Sequence, residues 1–433
     1  MKKSNYNKFF EREDLVIAYN ARTNALAEIS KEDYNQILQW RDSKKDLRQE
    51  LEKDLSYGGF LIPDKINETD LIKHTVMASR YATKVLNLTI APTSNCNFRC
   101  PYCYERNSLN EKRMNDTTAN DILKMIEDRI PHLEAIDLTW YGGEPLLELE
   151  RILNLSTRII KICEENNVEY YGSMVTNGYF LSKDTLEKLM NVKIKNIQIT
   201  LDGTKEFHDS RRYRIGKKPT FETIIQNLKS IKDLSNDKNF PIIGIRMNID
   251  KNNIYCLSDL EEYLSKTEIN KYTTFYIAAV FDPEDSNNEY TYTAREFAQI
   301  NDKFNKSKDK TNFSDYYPSL LGNHCMCDSL YGMVIDADGS IYKCWEEMGK
   351  KDCKVGDISN YKIIPNNPIY YSYLLSNTFE NEKCKSCPIL PICMGGGCPE
   401  RIIQHKYQPD CEYMLTSIYE NVEKSYEIAK RIR

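Results

Sequence analysis

The 433-residue chain has no run near the ~20 consecutive apolar residues that cross a bilayer, so it reads as a protein without a membrane span. It also lacks an excess of positive charge. Lys and Arg total 59 against 64 Asp and Glu, a net charge of -5, which argues against a nucleic-acid-wrapping surface and against a polybasic membrane anchor. Met1-Lys2-Lys3 is followed by polar and charged residues rather than the apolar core of a signal peptide. No internal repeat or low-complexity tract stands out. Histidine is scarce, with 5 residues, and no cysteine precedes Cys96. What the chain does have is 14 cysteines. In a long chain without a secretion signal, that density points to metal or cluster ligation rather than a disulfide framework.

The cysteines are unevenly placed. Cys96, Cys100 and Cys103 crowd one segment, Cys163 and Cys256 stand alone, and the other nine begin at Cys325. This gives a cysteine-free N-terminal part, a middle part with one motif, and a cysteine-rich C-terminal part. The expected divisions are 1–84, 85–310 and 311–433, consistent with two or three domains. In the first, 15–19 and 25–29 read as a short hairpin, and Ser30 opens a helix with Asp33 placed for a capping box and Ile37, Leu38 and Trp40 as core. From 85 onward, strands are expected at 85–90, 136–140, 170–175, 197–201, 242–249 and 274–280, separated by helical stretches such as the one carrying Ile122, Met125, Ile126 and Ile130. Six alternations predict an α/β fold, a partial (β/α)6 TIM-like barrel with helices outside a parallel sheet.

Each unusual motif in this region follows a strand: Cys96 to Cys103 the first, Tyr141-Gly142-Gly143-Glu144-Pro145 the second, Asn177 the third and Asp202 the fourth. Parallel barrels place their sites at that rim. Three cysteines spaced C-x3-C-x2-C can hold three irons of a [4Fe–4S] cubane as thiolates, leaving one iron open to a small molecule. Zinc is the rival metal, since C-x2-C is its usual spacing; buried unligated thiols are the plainest alternative. Cys163, among Ile159, Ile160 and Ile162, reads as core, and Cys256 likewise. Arg246 and Asn248 are equally readable as strand residues inside the barrel.

The C-x3-C-x-aromatic-C loop after a first barrel strand resembles the signature of the radical S-adenosylmethionine superfamily. The resemblance implies that Cys96, Cys100 and Cys103 ligate the cluster and that Tyr102 packs near the adenine. S-adenosylmethionine would chelate the open iron and be cleaved to a 5′-deoxyadenosyl radical by an electron from a reductant such as flavodoxin or ferredoxin. Gly142, Gly143 and Glu144 match the glycine-rich motif that receives the methionine amino group, a role suited to a close backbone and a carboxylate. Asn177 and Asp202 match polar groups near the ribose and site floor, and Arg212 matches the basic residue that meets the carboxylate. Arg211, Arg212, Arg214, Lys217 and Lys218 are equally readable as one solvated basic loop.

The C-terminal cysteines resemble a SPASM domain, the extension of enzymes that modify peptides and proteins. Strands are expected around an Asp338-Gly339 turn. By that resemblance one auxiliary [4Fe–4S] cluster uses Cys325 or Cys327, or both, with Cys344 and Cys398. The other uses Cys384, Cys387, Cys393 and Cys411, while Cys353 has no counterpart. Four residues separate Cys393 from Cys398 where the pattern has three. The N-terminal part resembles the small α+β, winged-helix-like module with which peptide maturases bind a leader peptide as an added strand. The expectation is a cytoplasmic maturase that cross-links a ribosomally made precursor peptide, by a thioether or, second, a Lys-to-Trp carbon–carbon bond. Anaerobic sulfatase maturases are the alternative; there an Asp base follows the cysteine matching Cys344, where this chain has Trp345. A non-catalytic iron–sulfur or zinc protein is the third possibility. The sequence singles out no general base.

Overall fold

The computed structural model describes residues 1–40, 47–280, 289–306, 312–322, 325–399, 402–403 and 410–432. The boundary expected at 310/311 lies outside them. Two compact units are present: Met1–Tyr81 with Ala298–Cys325 and Leu375–Arg433, and Ala82–Phe297 with Met326–Leu374. The segment 311–433 is therefore shared between them.

The first unit contains β1 (Lys2–Lys3), β2 (Asn7–Glu11), β3 (Leu15–Asn20), β4 (Ala25–Ser30) and β5 (Leu61–Ile62). β1 pairs with β5, and β2, β3 and β4 form an antiparallel meander with β3 central. Side chains alternate between the faces of a strand, and here both faces are apolar. Phe9, Ala18, Ala27 and Ile29 join a core with Ile37, Leu51 and Leu55 from helices Lys31–Gln39 and Gln49–Tyr57. Phe10, Ile17, Tyr19 and Leu26 join another with Phe379, Leu390, Ile392 and Met394, and with Val422 and Tyr426 of helix Cys411–Ile432. Each large side chain buried this way contributes about 1.5–3 kcal/mol, so the cysteine-rich C-terminal segment is part of what holds the N-terminal sheet. Ser30 Oγ caps its helix by accepting the Asp33 N–H at 3.0 Å. Leu38, expected in the core, is 49% exposed because it lies off the face that buries Ile37.

The second unit contains β6 (Val85–Ile90), β7 (Ala135–Trp140), β8 (Glu169–Thr176), β9 (Ile194–Thr200), β10 (Ile242–Ile249) and β11 (Thr273–Ala279), parallel and adjacent in chain order. Helices Asp116–Arg129, Leu149–Glu165, Lys183–Asn191, Phe221–Ser230 and Leu257–Lys266 connect them. Their apolar stripes pack on the sheet, and Cys163 is buried on one of them at 1% exposure. This is the expected partial barrel. The sheet also runs on past β6: β12 (Gly332–Ile335) pairs parallel with β6, followed by β13 (Ser340–Tyr342), β14 (Gly356–Asp357) and β15 (Lys362–Ile363) in antiparallel order. The β12–β13 turn is at Asp338-Gly339, where Gly339 has φ +86° and donates to Asp336 O at 2.9 Å.

Candidate active site

The segment after β6 is shaped by the one after β7. Tyr141 N–H donates to Ile90 O at 3.0 Å, Gly143 N–H to Thr93 O at 3.4 Å and Glu144 N–H to Asn95 O at 2.9 Å. A Cβ on Gly142 would stand 2.5 Å from Thr93 O, and one on Gly143 would stand 2.2 Å from Asn95 O. The two glycines thus let one strand-end loop zip onto the backbone that leads into Cys96.

Glu144 is fully buried and ties the next strand end to the same place. Its Oε1 accepts from Leu146 N–H at 3.0 Å and Thr176 Oγ1 at 2.7 Å, and its Oε2 from Asn177 N–H at 2.8 Å. Burial raises its carboxyl pKa even so. Asn177 Nδ2 then donates to Asn97 Oδ1 at 2.8 Å, inside the cysteine loop. Asn97 was not singled out from the sequence, where an Asn between two cysteines carries no spacing signal.

Tyr102 is the centre of a polar knot. Its hydroxyl donates to Asp202 Oδ2 and accepts from Arg212 Nη1 at 2.6 Å, with Asn248 Nδ2 at 3.4 Å. Burial drives its phenol pKa up. The Arg211 guanidinium lies over the Tyr102 ring at 4.7 Å and pairs with Asp250 at 2.9 Å. Arg211 and Arg212 are 8% and 9% exposed, so these two are buried beside Tyr102 rather than part of a solvated basic loop. Arg246 Nε donates to Asn248 Oδ1 at 2.8 Å, an internal pairing on β10.

Behind the knot, His208 is fully buried. Its Nδ1 accepts the Asp202 N–H at 3.3 Å, which leaves Nε2–H to donate to Thr220 Oγ1 at 3.1 Å; Thr220 in turn donates to Arg212 O. Burial and the neighbouring Arg212 and Arg211 push the imidazole pKa well down, so it is neutral. His208 holds the backbone at both ends of the Asp202–Arg212 segment. The sequence showed a His-Asp-Ser-Arg-Arg string but no periodicity that marks its histidine as buried.

The thiols of Cys96, Cys100 and Cys103 share this neighbourhood and feel one another. Burial pushes all three up, Cys103 to about 12, with Glu144 adding to Cys96 and Glu105 to Cys103. Unaided, they stay protonated; an iron–sulfur cation is the kind of partner that turns buried thiols into thiolates. Among the described residues no three Cys, His, Asp or Glu side chains converge on a point that holds one metal ion. A cubane places each thiolate on a different iron and needs no such point. Arg212 Nε and Asn97 Nδ2 are buried beside the loop without a hydrogen-bond partner, two donors that fit a bound carboxylate or carbonyl group. The residues present fit a cluster with an anionic co-ligand.

The C-terminal cysteines fall into two neighbourhoods. In the first unit Cys384, Cys387, Cys393 and Cys411 interact electrostatically, and burial lifts Cys393 to about 11. Met394, Gly395, Gly396 and Gly397 all take positive φ, and a Cβ on Gly395 would stand 2.4 Å from Thr378 Cγ2. In the second unit Cys327 and Cys344 are buried near Tyr373, whose hydroxyl donates to Glu347 Oε1 at 2.7 Å. Cys325 and Cys398 belong to the first unit. Cys353 packs against the cluster of Ala91, Val334, Tyr342 and Met348. No disulfide joins the described cysteines. Trp345 stacks on Tyr141 with centroids 5.0 Å apart, and the Tyr141 and Tyr104 hydroxyls touch, an aromatic link that sequence spacing could not reveal.

Residues 90–254 match the Radical SAM superfamily model. The barrel is a Radical SAM domain. The chain is accordingly an enzyme, with a [4Fe–4S] cluster and S-adenosylmethionine as its cofactors. Over 341 residues it is 24% identical to the cysteine-type anaerobic sulfatase-maturating enzyme of Clostridium novyi (strain NT), covering 72% of this chain and 88% of that protein. A stretch of 143 residues is 33% identical to the GTP 3',8-cyclase of Clostridium perfringens (strain 13 / Type A), 32% of this chain and 42% of that enzyme. Among solved structures, native anSMEcpe with bound AdoMet and Cp18Cys peptide superposes with a TM-score of 0.60 at 18% identity, over 81% of this chain and 100% of that one. Streptococcus suis SuiB bound to its precursor peptide SuiA gives 0.52 at 16%, over 93% and 96%. These superpositions speak to the fold. No helix among the described residues is long and apolar enough to cross a membrane.

Proposed function

We propose that this Radical SAM enzyme is a peptide maturase that installs an intramolecular cross-link in a ribosomally made precursor, a thioether from a Cys sulfur first and a Lys-to-Trp carbon–carbon bond second. The observation that carries the reading is the joining, in one chain, of the Tyr102–Asp202–Arg212 knot beside Cys96, Cys100 and Cys103 with a second set of mutually interacting thiols at Cys384, Cys387, Cys393 and Cys411. The SuiB likeness supports it by extending over 93% of the chain, against 81% for anSMEcpe.

On this reading Cys96, Cys100 and Cys103 would hold the cluster that, with S-adenosylmethionine bound, supplies a 5′-deoxyadenosyl radical able to take a hydrogen atom from the substrate. Arg212, whose Nε is buried and unpartnered, would take the cofactor's carboxylate, and Tyr102, itself bonded to Asp202, holds that guanidinium in place. Gly142, Gly143 and Glu144 fix the cysteine loop, Glu144 with lone-pair capacity left on Oε2 for an ammonium. Asn177 holds the loop from β8 through Asn97. Cys384, Cys387, Cys393 and Cys411 would ligate one auxiliary cluster, and Cys344 and Cys398 with Cys325 or Cys327 another. The edge strand β4 would accept a leader peptide as an added strand, and a flavodoxin or ferredoxin in the cytoplasm would supply electrons. Sulfatase-type maturation has the sulfatase maturase likeness behind it, but Trp345 stands where that chemistry places its carboxylate base.

The test is a search for a short Cys-rich or Lys/Trp-containing reading frame beside its gene, followed by anaerobic incubation of the reconstituted enzyme with that peptide. Loss of two hydrogens from the peptide, with 5′-deoxyadenosine formed alongside, is expected. An aldehyde at a Cys or Ser instead would move the assignment to the sulfatase-maturase class.

A further inference from the structure

The segment 213–218 is a tight hairpin standing on the cysteine loop. Arg214 N–H donates to Lys218 O at 2.9 Å, Arg99 N–H donates to Tyr213 O at 2.8 Å, and Phe98 bridges to Arg214. Gly216 and Lys217 take positive φ to make the turn, and a Cβ on Gly216 would meet nothing within 4 Å, so the tip projects into open space. Ile215 at that tip is 61% exposed, and Lys217, Lys218 and Arg99 are exposed beside it.

The charges here differ from those elsewhere in the same unit. Surface cations of the barrel are mostly paired: Lys84 with Glu134, Lys112 with Asp338, Arg113 with Glu148, Lys193 with Glu164 and Lys205 with Glu222. Lys217 and Lys218 have no ion-pair partner among the described residues, and the Arg99 guanidinium donates only to the carbonyls of Cys96 and Phe98. The segment 211–218 contains no carboxylate at all, in a chain of net charge -5. An exposed apolar residue ringed by unpaired cations is the anatomy of a docking site for a partner of opposite charge.

We propose that the hairpin 213–218, with Arg99, is the docking surface for an acidic one-electron carrier protein. The inference rests on the reading of Cys96, Cys100 and Cys103 as cluster ligands. Electron transfer falls steeply with distance, so a carrier must seat on the face nearest the cluster, and this hairpin is bonded to the residue immediately before Cys100. In the step it serves, the carrier loses one electron and the cluster gains it; no proton or atom is transferred.

The experiment compares the reconstituted full-length enzyme with K217E/K218E and with the milder K217Q/K218Q. Oxidised flavodoxin is titrated at low and high salt, and 5′-deoxyadenosine formation is measured with reduced flavodoxin and, separately, with dithionite. Charge reversal should weaken flavodoxin affinity about tenfold at low salt, with a smaller loss for the glutamine pair and convergence at high salt. Flavodoxin-driven cleavage should fall while dithionite-driven cleavage holds. Unchanged affinity and flavodoxin-driven rate would overturn the proposal, as would a loss of precursor-peptide affinity with carrier affinity intact. If wild-type enzyme cleaves nothing with either reductant, the ligand reading has failed; the salt-dependent affinity comparison still decides the surface.

Discussion

Replacing Gly143 with alanine isolates the contact that shapes the cysteine loop. Its Cβ would lie 2.2 Å from Asn95 O, 2.5 Å from Asn95 C and 3.1 Å from Cys96 N. Ordinary contact begins at 3.4 Å, so the Asn95 carbonyl must withdraw by about 1 Å. The obstacle is backbone and has no rotamer to change. Its retreat also stretches the Glu144 N–H bond to Asn95 O, now 2.9 Å. Overpacking of this kind costs about 1–3 kcal/mol, which lowers the melting temperature. The larger effect falls on function, because Cys96 follows the displaced carbonyl directly, and a misplacement of about 1 Å at a reacting centre can cost about a hundredfold in rate. The assay is dithionite-driven 5′-deoxyadenosine formation, with iron content and thermal unfolding measured on the same preparation. Gly143→Ala with wild-type iron, melting temperature and cleavage rate would refute the argument that this loop is held by backbone contact at residue 143.

Three further outcomes follow from the site. Replacing Cys96, Cys100 and Cys103 together with Ala should abolish S-adenosylmethionine cleavage and lower iron from about 12 to about 8 per chain, the content of two remaining cubanes; surviving cleavage would remove the ligand assignment. Arg212→Lys keeps the charge but loses the planar fork, so KM for S-adenosylmethionine should rise about tenfold to a hundredfold; an unchanged KM would take Arg212 out of the carboxylate contact. His208 is held neutral by burial, so below about pH 6.5 the unfolded chain binds a proton that the folded one excludes, and stability should fall by up to about 1.4 kcal/mol per pH unit on acidification. Between about pH 6.5 and 5.5, where the unfolded imidazole goes from half to nearly fully protonated, denaturant unfolding should show a loss of about 1 kcal/mol in the wild type that is absent in His208→Gln; equal losses would mean that the imidazole is not excluded from protonation.

What could be read from the sequence was whatever is written in local spacing. The C-x3-C-x2-C string, the paired glycines before Glu144 and the strand–helix alternation each depend on residues a few positions apart, and the structure brings them to one rim. Leu38 marks the limit of that reading, since a nine-residue helix has apolar positions beyond those its core can take. The basic run 211–218 marks another. Its composition allows either a solvated loop or site residues, and the structure divides it, burying Arg211 and Arg212 against Tyr102 while leaving Lys217 and Lys218 in water. Only the long-range partners Asp202, Asp250 and Tyr102 make that division, and no local pattern encodes them.

The first-unit sheet shows the same limit in its packing. Val16 and Ala18 on one face and Ile17 and Tyr19 on the other are all fully buried, and a strand apolar on both faces announces that each face is covered. Which segment covers the second face was not readable, because Val422 and Tyr426 lie some four hundred residues further along the chain. That distance has a physical consequence. Leu390, Ile392 and Met394, which belong to the same core, flank Cys393, and Cys387 packs against it. A large-to-small change at Tyr19 therefore opens a cavity in the core that the residues flanking Cys393 share, and its cost, about 3–5 kcal/mol for an aromatic truncated to Ala, should be felt in thiol geometry as well as in the N-terminal module.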